Sequence, residues 1–239
     1  MLSKKRILGV IGGMGPYATL TFFEKFIKYN SNVSHDQDHF PIYIINDPEI
    51  PDRTQSIIQN TNLDIISSKL ISNARNLENI GCHSLVIPCN TAHYFYDEIQ
   101  DNINIPIISL IDETLHEMHH QSKKSFGLLS TFGTVYTNTY KKSAYDFNID
   151  IKIPSVYQQN RLNKIIYDIK SQNKMTQLFK DEKRKKIEEI CDEIQQKYFI
   201  NTFVLGCTEL GIIYNDVRSC KYQFIDPMDI VIKKFYDSI

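Results

Sequence analysis

The segment ILGVIGGMG at residues 7–15 is a short apolar run that leads directly into a glycine-rich loop. SFGLLSTFG at residues 125–133 repeats this pattern at an offset of 118 residues. A second pair of motifs, VIPCNT at residues 86–91 and VLGCT at residues 204–208, repeats at the same offset. Two separate motifs that share one offset indicate a duplicated domain, because solenoid arrays repeat many shorter units.

Short β-branched runs alternate with longer amphipathic stretches along the chain, which is typical of βαβ units. The sequence therefore predicts an α/β protein with two similar domains, each a mainly parallel sheet flanked by helices, with the active site in the cleft between them. We expect the first domain in residues 1–112 and the second in residues 113–225. The expected strands are residues 7–11, 41–46, 84–87, 105–110, 125–129, 149–153, 202–205 and 222–225. The expected helices are residues 17–29, 64–79, 92–101, 112–120, 134–146, 159–171, 176–197 and 227–236.

The composition is that of a folded protein in a reducing compartment. Hydrophobic residues make up 42% of the 239 residues, and the net charge is −1, which disfavours disorder and general nucleic-acid binding. No apolar run is long enough to span a membrane. Lys4 to Ile11 resembles the start of a signal peptide, but the glycine loop follows without a cleavage site. The five cysteines are odd in number and widely spaced, so we expect free thiols and a cytoplasmic protein.

Cys89 and Cys207 occupy matching positions in the two repeats, each after a strand and before a helix. Open α/β sheets bind ligands beyond the carboxyl ends of their strands, so the two thiols are expected to enter one cleft from opposite sides. A helix amino terminus favours thiolate and binds carboxylates. Cys82, Cys191 and Cys220 have no such match and are interpreted as small buried apolar residues.

Two opposed thiols suit racemisation. One thiolate removes a proton from one face of a carbon while the other thiol returns a proton to the opposite face, and the thiol pKa of about 8.5 is within reach of neutrality. A metal site at Cys82, His83, Cys89 and His93 fits no zinc spacing. We expect no metal.

Five ordered motifs resemble the cofactor-independent aspartate/glutamate racemase family, and most closely its aspartate racemase branch. They are GGMGPYAT at residues 12–19, PDRT at residues 51–54, PCNTAH at residues 88–93, GCTE at residues 206–209 and IDPMD at residues 225–229. The resemblance implies that Cys89 and Cys207 are catalytic and that neither pyridoxal phosphate nor a metal is used. It also implies a small acidic amino acid as substrate, a homodimer, and a last segment, residues 226–239, that returns to the first domain.

Arg53 is the expected partner of the substrate's side-chain carboxylate. It follows turn-forming residues in what is predicted to be a loop, and its guanidinium can hold a carboxylate by two hydrogen bonds. The alternative is a structural arginine paired with Asp52 or Glu49. In the resemblance, further groups bind the α-carboxylate and the amine or line the substrate pocket: Met14, Asn90, Thr91, Thr131 and Thr208.

The chain departs from the aspartate racemase pattern at one position. A lysine that is usual before the helix around residues 165–167 falls on Asn160 here, with Arg161 beside it. Either Arg161 takes over its role, or the pocket accepts another substrate, of which glutamate is the first candidate. Glu209 has two open interpretations: it orients a thiol or the substrate amine, or it is a first-turn residue favoured by the helix dipole. His93 is interpreted as structural, one turn past Cys89.

Two alternatives from other functional classes remain. The segment at residues 13–18 fits the G-x-G-x-x-A fingerprint of a nicotinamide-dependent oxidoreductase, with Asp36 and Asp38 about 20 residues on. That interpretation explains neither the repeat nor the paired cysteines. A non-catalytic binding protein with two lobes would explain the cleft but not the thiols. Within the superfamily, hydantoin racemase and maleate isomerase chemistry also stay open.

Overall fold

The computed structural model describes residues 5–31, 33–215 and 221–238. Cys220 lies outside the described residues. The strands are β1 (Leu8–Gly12), β2 (Ile42–Asn46), β3 (Ser84–Val86), β4 (Ser125–Ser130), β5 (Asp150–Lys152), β6 (Thr202–Gly206) and β7 (Gln223–Ile225). The α-helices are α1 (Pro16–Tyr29), α2 (Arg53–Gln59), α3 (Leu63–Asn79), α4 (Tyr96–Gln100), α5 (Leu110–His120), α6 (Phe132–Tyr136), α7 (Thr139–Ala144), α8 (Val156–Lys170), α9 (Gln177–Tyr198), α10 (Thr208–Tyr214) and α11 (Pro227–Asp237).

Two parallel sheets form the two halves of the molecule. The first half contains the sheet β2-β1-β3, and Ile107 adds a parallel bridge to Leu85 at its β3 edge. The second half contains the sheet β5-β4-β6-β7. Strands β1 and β6 are buried along their whole length because helices cover both faces of the sheets. The predicted α/β class with two parallel sheets is confirmed.

The sheets place the repeated motifs at equivalent edges. The carboxyl ends of β1 and β4 lead into the two glycine loops, and those of β3 and β6 lead into the two cysteine segments. Gly15 and Gly133, which are equivalent in the repeat, lie where the halves meet. A Cβ at Gly15 would lie 3.1 Å from Glu209 Oε1, and one at Gly133 would lie 2.8 Å from Thr91 Cγ2. A side chain at Gly133 would therefore clash with Thr91 and Thr54 of the first half, whereas one at Gly15 would require a small shift of the Glu209 side chain.

The last helix, α11, packs against the first sheet. Met228, Val231 and Phe235 join the apolar cluster that contains Leu8 and Val10. The helix begins at Pro227, with the Asp226 carboxylate accepting a hydrogen bond from the Met228 N–H. Lys25 of α1 contacts the same carboxylate at 2.7 Å. The end of the chain is therefore fixed to the half that contains its beginning.

The structure differs from the sequence prediction in several elements. The helix expected at residues 92–101 is divided into a 3-10 turn, Thr91–Phe95, and α4, and α10 was not among the expected helices. Arg53 is the first residue of α2 and not a loop residue, because Asp52 caps that helix by accepting from the Gln55 N–H. The strand expected at residues 105–110 is reduced to the single bridge at Ile107, since α5 already begins at Leu110. The helix expected at residues 134–146 is interrupted by Asn138, whose φ of 54° is left-handed.

The expected boundary near residue 112 falls inside α5. This helix contributes Leu110 to the apolar cluster of the first half and Leu115 to that of the second. It therefore packs against both halves and joins them without a flexible break. None of the helices among the described residues has the length and apolar character needed to cross a bilayer.

Candidate active site

Cys89 and Cys207 both lie at the carboxyl edge of a sheet, and each is only 5% exposed. Cys207 is the residue directly before α10, and its Sγ donates a hydrogen bond to Glu209 Oε2 at 3.0 Å. Cys89 follows β3, and its backbone N–H donates to the Ile87 carbonyl at 2.7 Å. The helix after it is a short 3-10 turn, Thr91–Phe95.

Charged side chains from three elements connect the two thiols electrostatically. Lys170, in the last turn of α8, holds its Nζ 3.7 Å from Glu209 Oε1. Burial alone would lower the pKa of Lys170, but the Glu209 carboxylate raises it overall, with further contributions from the two cysteines. Burial also acts to lower the pKa of Arg53, whereas Cys89, Asp52 and Glu209 raise it overall. The two cysteine segments are joined directly, because the Thr208 hydroxyl beside Cys207 donates to the carbonyl of Pro88, the residue before Cys89.

The Cys207 thiol is held in its protonated form. Burial raises its pKa well above the ordinary value, the Glu209 carboxylate raises it further, and Lys170 opposes both effects. The expectation that the helix amino terminus favours a thiolate is therefore wrong for Cys207, because desolvation and a neighbouring negative charge outweigh the helix dipole.

Arg53 is 6% exposed and is fixed by backbone carbonyls. Its Nη2 donates to the Met14 carbonyl at 2.7 Å, and its Nη1 donates to the carbonyls of Ile50 and Pro51 at 3.2 and 3.1 Å. Its Nε is buried and has no hydrogen-bond partner among the described residues. Three of the five guanidinium N–H groups therefore donate to backbone carbonyls, that of Met14 included, and two donors, Nε among them, are not used by the backbone.

The acidic residues that were candidate partners of Arg53 have other hydrogen bonds. Asp52 caps α2 and accepts from the Tyr167 hydroxyl at 2.9 Å. Glu49 lies 3.5 Å from Lys69. Tyr167 belongs to α8, so its bond to Asp52 ties the second half to the helix that carries Arg53.

Polar side chains of both halves meet beside the cysteines. Thr91 Oγ1 lies 2.9 Å from Thr131 Oγ1 and 3.0 Å from Thr134 Oγ1. Thr208 donates from its hydroxyl to the Pro88 carbonyl at 3.1 Å. The sequence predicted Thr91, Thr131 and Thr208 as site residues but missed Thr134, which has no distinctive motif.

Asn90 is held by a tyrosine that the sequence also missed. The Tyr140 hydroxyl donates to Asn90 Oδ1 at 2.6 Å. The Asn90 Nδ2 group is buried without a hydrogen-bond partner among the described residues. This leaves two amide donors beside Cys89 for a ligand oxygen.

His93 is structural, as expected. Its Nε2 accepts from the Leu110 N–H at 3.0 Å, so its proton is on Nδ1, which lies 2.9 Å from the Cys89 carbonyl. Burial lowers the pKa of His93 to about 4. The neutral ring therefore fixes the Cys89 segment to the start of α5.

Arg161 does not lie with the residues around the two cysteines. It forms ion pairs with Glu193 and Glu189 of α9. Lys170, further along the same helix, is the cation beside Glu209, so the structure does not support the alternative in which Arg161 takes over the lysine's role. The sequence missed Lys170 because a lysine in the last turn of a helix is commonly explained by the helix dipole.

The other described cysteines are buried in the apolar cores. Burial raises the pKa of Cys82 to about 11 and that of Cys191 well above its ordinary value. Both match their interpretation as small apolar residues. No group of three or more His, Cys, Asp or Glu side chains in the described part of the chain is arranged to hold a metal ion.

The sequence matches the model of the family described as Asp/Glu/hydantoin racemase over residues 11–235. The chain belongs to this racemase family. It is 30% identical over 220 residues to the broad specificity amino-acid racemase RacX of Bacillus subtilis (strain 168), which covers 89% of each chain.

Solved structures of racemases have the same fold. The Picrophilus torridus aspartate racemase has a TM-score of 0.82 and 29% identity, with 98% of this chain and 94% of that chain covered. The glutamate racemase of Francisella tularensis, solved in complex with D-glutamate, has a TM-score of 0.66 and 19% identity, with 98% and 80% covered. The second likeness supports the racemase fold alone.

Proposed function

We propose that this racemase-family protein interconverts L- and D-aspartate without a cofactor, with glutamate as the next candidate substrate. The supporting observation is that two buried thiols, equivalent in the repeat, lie in segments joined by the bond from Thr208 to Pro88, and that Cys207 contacts Glu209, which is paired with Lys170. A nicotinamide-dependent oxidoreductase or a passive binding protein has no need of that arrangement.

The reaction needs one thiolate and one thiol. The thiolate takes the proton from Cα, and the electron pair of that C–H bond remains on the substrate as a carbanion. The other thiol donates its proton to the opposite face, which forms a new C–H bond and leaves a thiolate in its place. Cys89 and Cys207 exchange roles in the reverse direction. Arg53 and Lys170 stabilise the negative charge that develops between them.

An acidic substrate fits the charges of the site. Arg53 and Lys170 are positive and Glu209 is negative, and these three groups complement the two carboxylates and the ammonium of aspartate. The free Arg53 Nε would bind the side-chain carboxylate. The free Asn90 Nδ2 would bind the α-carboxylate, together with hydroxyls of the threonine cluster. A glutamate would need one more methylene of space in the same pocket.

A wider substrate range is the second candidate function. The relative from Bacillus subtilis is described as a broad specificity racemase. We also propose a homodimer, as the resemblance implies, which light scattering during size-exclusion chromatography would test, and a cytoplasmic location, as the unpaired cysteines indicate.

The direct test is a screen of both enantiomers of the common amino acids by chiral chromatography, with dialysed protein and no added cofactor. We expect the enantiomers of aspartate to interconvert fastest, with or without chelator, and added pyridoxal phosphate to have no effect. Conversion of no amino acid, or a tightly bound nicotinamide in the purified protein, would contradict the proposal.

A further inference from the structure

Cys207 and Glu209 lie too close together for both side chains to carry a negative charge. Sγ and Oε2 lie 3.0 Å apart, both residues are buried, and neither atom faces bulk water. Two negative charges at that distance in a poorly solvated site would repel strongly. One proton must therefore lie between the sulfur and the carboxylate oxygen.

Lys170 lies on the other side of the same carboxylate. Its Nζ is 3.7 Å from Oε1, which has no hydrogen-bond partner among the described residues. This ion pair stabilises Glu209 as a carboxylate, so the shared proton belongs to the sulfur. Tyr140 is a further titratable group that interacts electrostatically with Cys207. The charge of Arg53 interacts with both Cys89 and Glu209.

The two thiols therefore have opposite electrostatic neighbours. Cys207 has a carboxylate as its hydrogen-bond acceptor, whereas Cys89 has the Arg53 guanidinium as its charged neighbour. A carboxylate stabilises a thiol and a guanidinium stabilises a thiolate. The repeat is symmetric in its cysteines but not in the groups that control their protons.

We propose that Glu209 is a positioning residue whose carboxylate holds the Cys207 proton, so that Cys207 is the thiol that acts as the acid in the resting protein. This role for the pair rests on the proposed racemase function, whereas the bond between Glu209 and Cys207 does not. In the opposite direction of turnover the two cysteines must exchange protonation states: the Cys207 S–H bond breaks and its proton passes by way of the Glu209 carboxylate to solvent, an S–H bond forms at Cys89 with a proton taken from solvent, and the total charge is unchanged.

The test measures ionisation of Cys207 by the ultraviolet absorbance of its thiolate as the pH rises. The signal is taken as the difference between each variant and the same variant carrying Cys207→Ser. Glu209→Gln keeps the shape and the hydrogen-bond acceptor but removes the charge, so the midpoint should move down by about 1–3 pH units. Lys170→Met leaves the carboxylate uncompensated and should move the midpoint up.

Asp168→Asn is the matched control. It also removes a carboxylate that is paired with a lysine on α8, at 2.7 Å from Lys183, but it does not contact Cys207. Its midpoint should equal that of the wild type. An unchanged or raised midpoint in Glu209→Gln, an equal shift in Asp168→Asn, or a Cys207 thiolate in the wild type at neutral pH would each overturn the inference.

Racemisation is measured on the same proteins, which separates the two proposals. The expected midpoint shifts without any amino-acid conversion would support the role of Glu209 and contradict the racemase function. Conversion with no midpoint shift in Glu209→Gln would support the racemase function and overturn the role of Glu209.

Discussion

At the scale of single residues, the two repeated cysteines should each be indispensable. Alanine at either Cys89 or Cys207 removes one of the two proton-transfer groups, so we expect racemisation to fall by roughly 10²–10⁴-fold or more. Cys191→Ala is the control, because Cys191 lies in the core of the second half and should affect stability only. Full activity in either site variant would contradict the two-thiol reaction.

Arg53 should determine the preference for an acidic side chain. Loss of a desolvated two-point contact costs about 2–4 kcal/mol, so Arg53→Ala should lower kcat/KM for aspartate by roughly two to three decades. Arg53→Lys should restore little, because an ammonium cannot reproduce the planar fork. If aspartate turnover is unchanged in Arg53→Ala, the arginine has only a structural role.

Lys170 and Arg161 provide a matched pair of cations on one helix. Lys170→Met removes the buried charge beside Glu209 and should lower kcat/KM for aspartate by at least about tenfold. Arg161→Met removes exposed ion pairs with Glu193 and Glu189, which are worth at most about 1 kcal/mol of stability, and should leave kcat/KM unchanged. If Arg161→Met lowers kcat/KM and Lys170→Met does not, Arg161 and not Lys170 is the cation that serves the substrate site.

Residues in the repeated motifs could be predicted from the sequence, whereas residues outside them could not. Cys89, Cys207 and Thr91 stand in short motifs beside strands, and the common offset of 118 residues identifies them. Lys170 and Tyr140 lie within helices and reach the site through long side chains. Whether these side chains reach the site depends on how the two halves pack together, and a local sequence pattern does not predict that packing.

At the scale of elements, α2 shows that turn-forming residues do not always predict a loop. The prolines before Arg53 predict a loop, but the Asp52 carboxylate caps a short helix in that position. Other differences arise at ends and breaks, at Leu110 and at Asn138, where one cap or one left-handed residue decides the outcome. The centres of the long helices and of the central strands follow the apolar pattern closely.

The cap of α2 should affect both stability and substrate binding. Asp52→Ala loses a helix cap worth about 1 kcal/mol of unfolding free energy and also the bond from Tyr167. Since Arg53 is the next residue, KM for aspartate should rise as well. Thr176→Ala removes the equivalent cap of α9, away from the site, and should cost similar stability in urea unfolding with no change in KM. A change of KM in both variants would make the effect on Asp52 non-specific.

At the scale of the whole molecule, the buried thiols should make the protein sensitive to alkali. The pKa values of Cys82, Cys191 and Cys207 are raised in the folded protein by burial. Below the ordinary thiol pKa of about 8.5, folded and unfolded chains both keep these protons; above it, only the unfolded chain loses them. The free energy of unfolding should therefore fall as pH rises, by up to about 1.4 kcal/mol per pH unit for each thiol.

Urea unfolding at a series of alkaline pH values measures this slope. Cys191→Ser replaces one of the three thiols with a group that does not titrate in this range, so its slope should be shallower by the contribution of one thiol. Equal slopes in the wild type and Cys191→Ser would contradict the pKa raised by burial at Cys191.

The most direct test of the central claim, that two opposed thiols racemise an amino acid, follows the proton itself. In heavy water the donating thiol exchanges with solvent and carries deuterium before the substrate arrives. Starting from one pure enantiomer of aspartate, chirally separated samples at low conversion are analysed by mass spectrometry. We predict that the product is deuterated at Cα while the remaining substrate stays protiated. Early deuterium in the recovered substrate equal to that in the product would contradict opposed roles for Cys89 and Cys207.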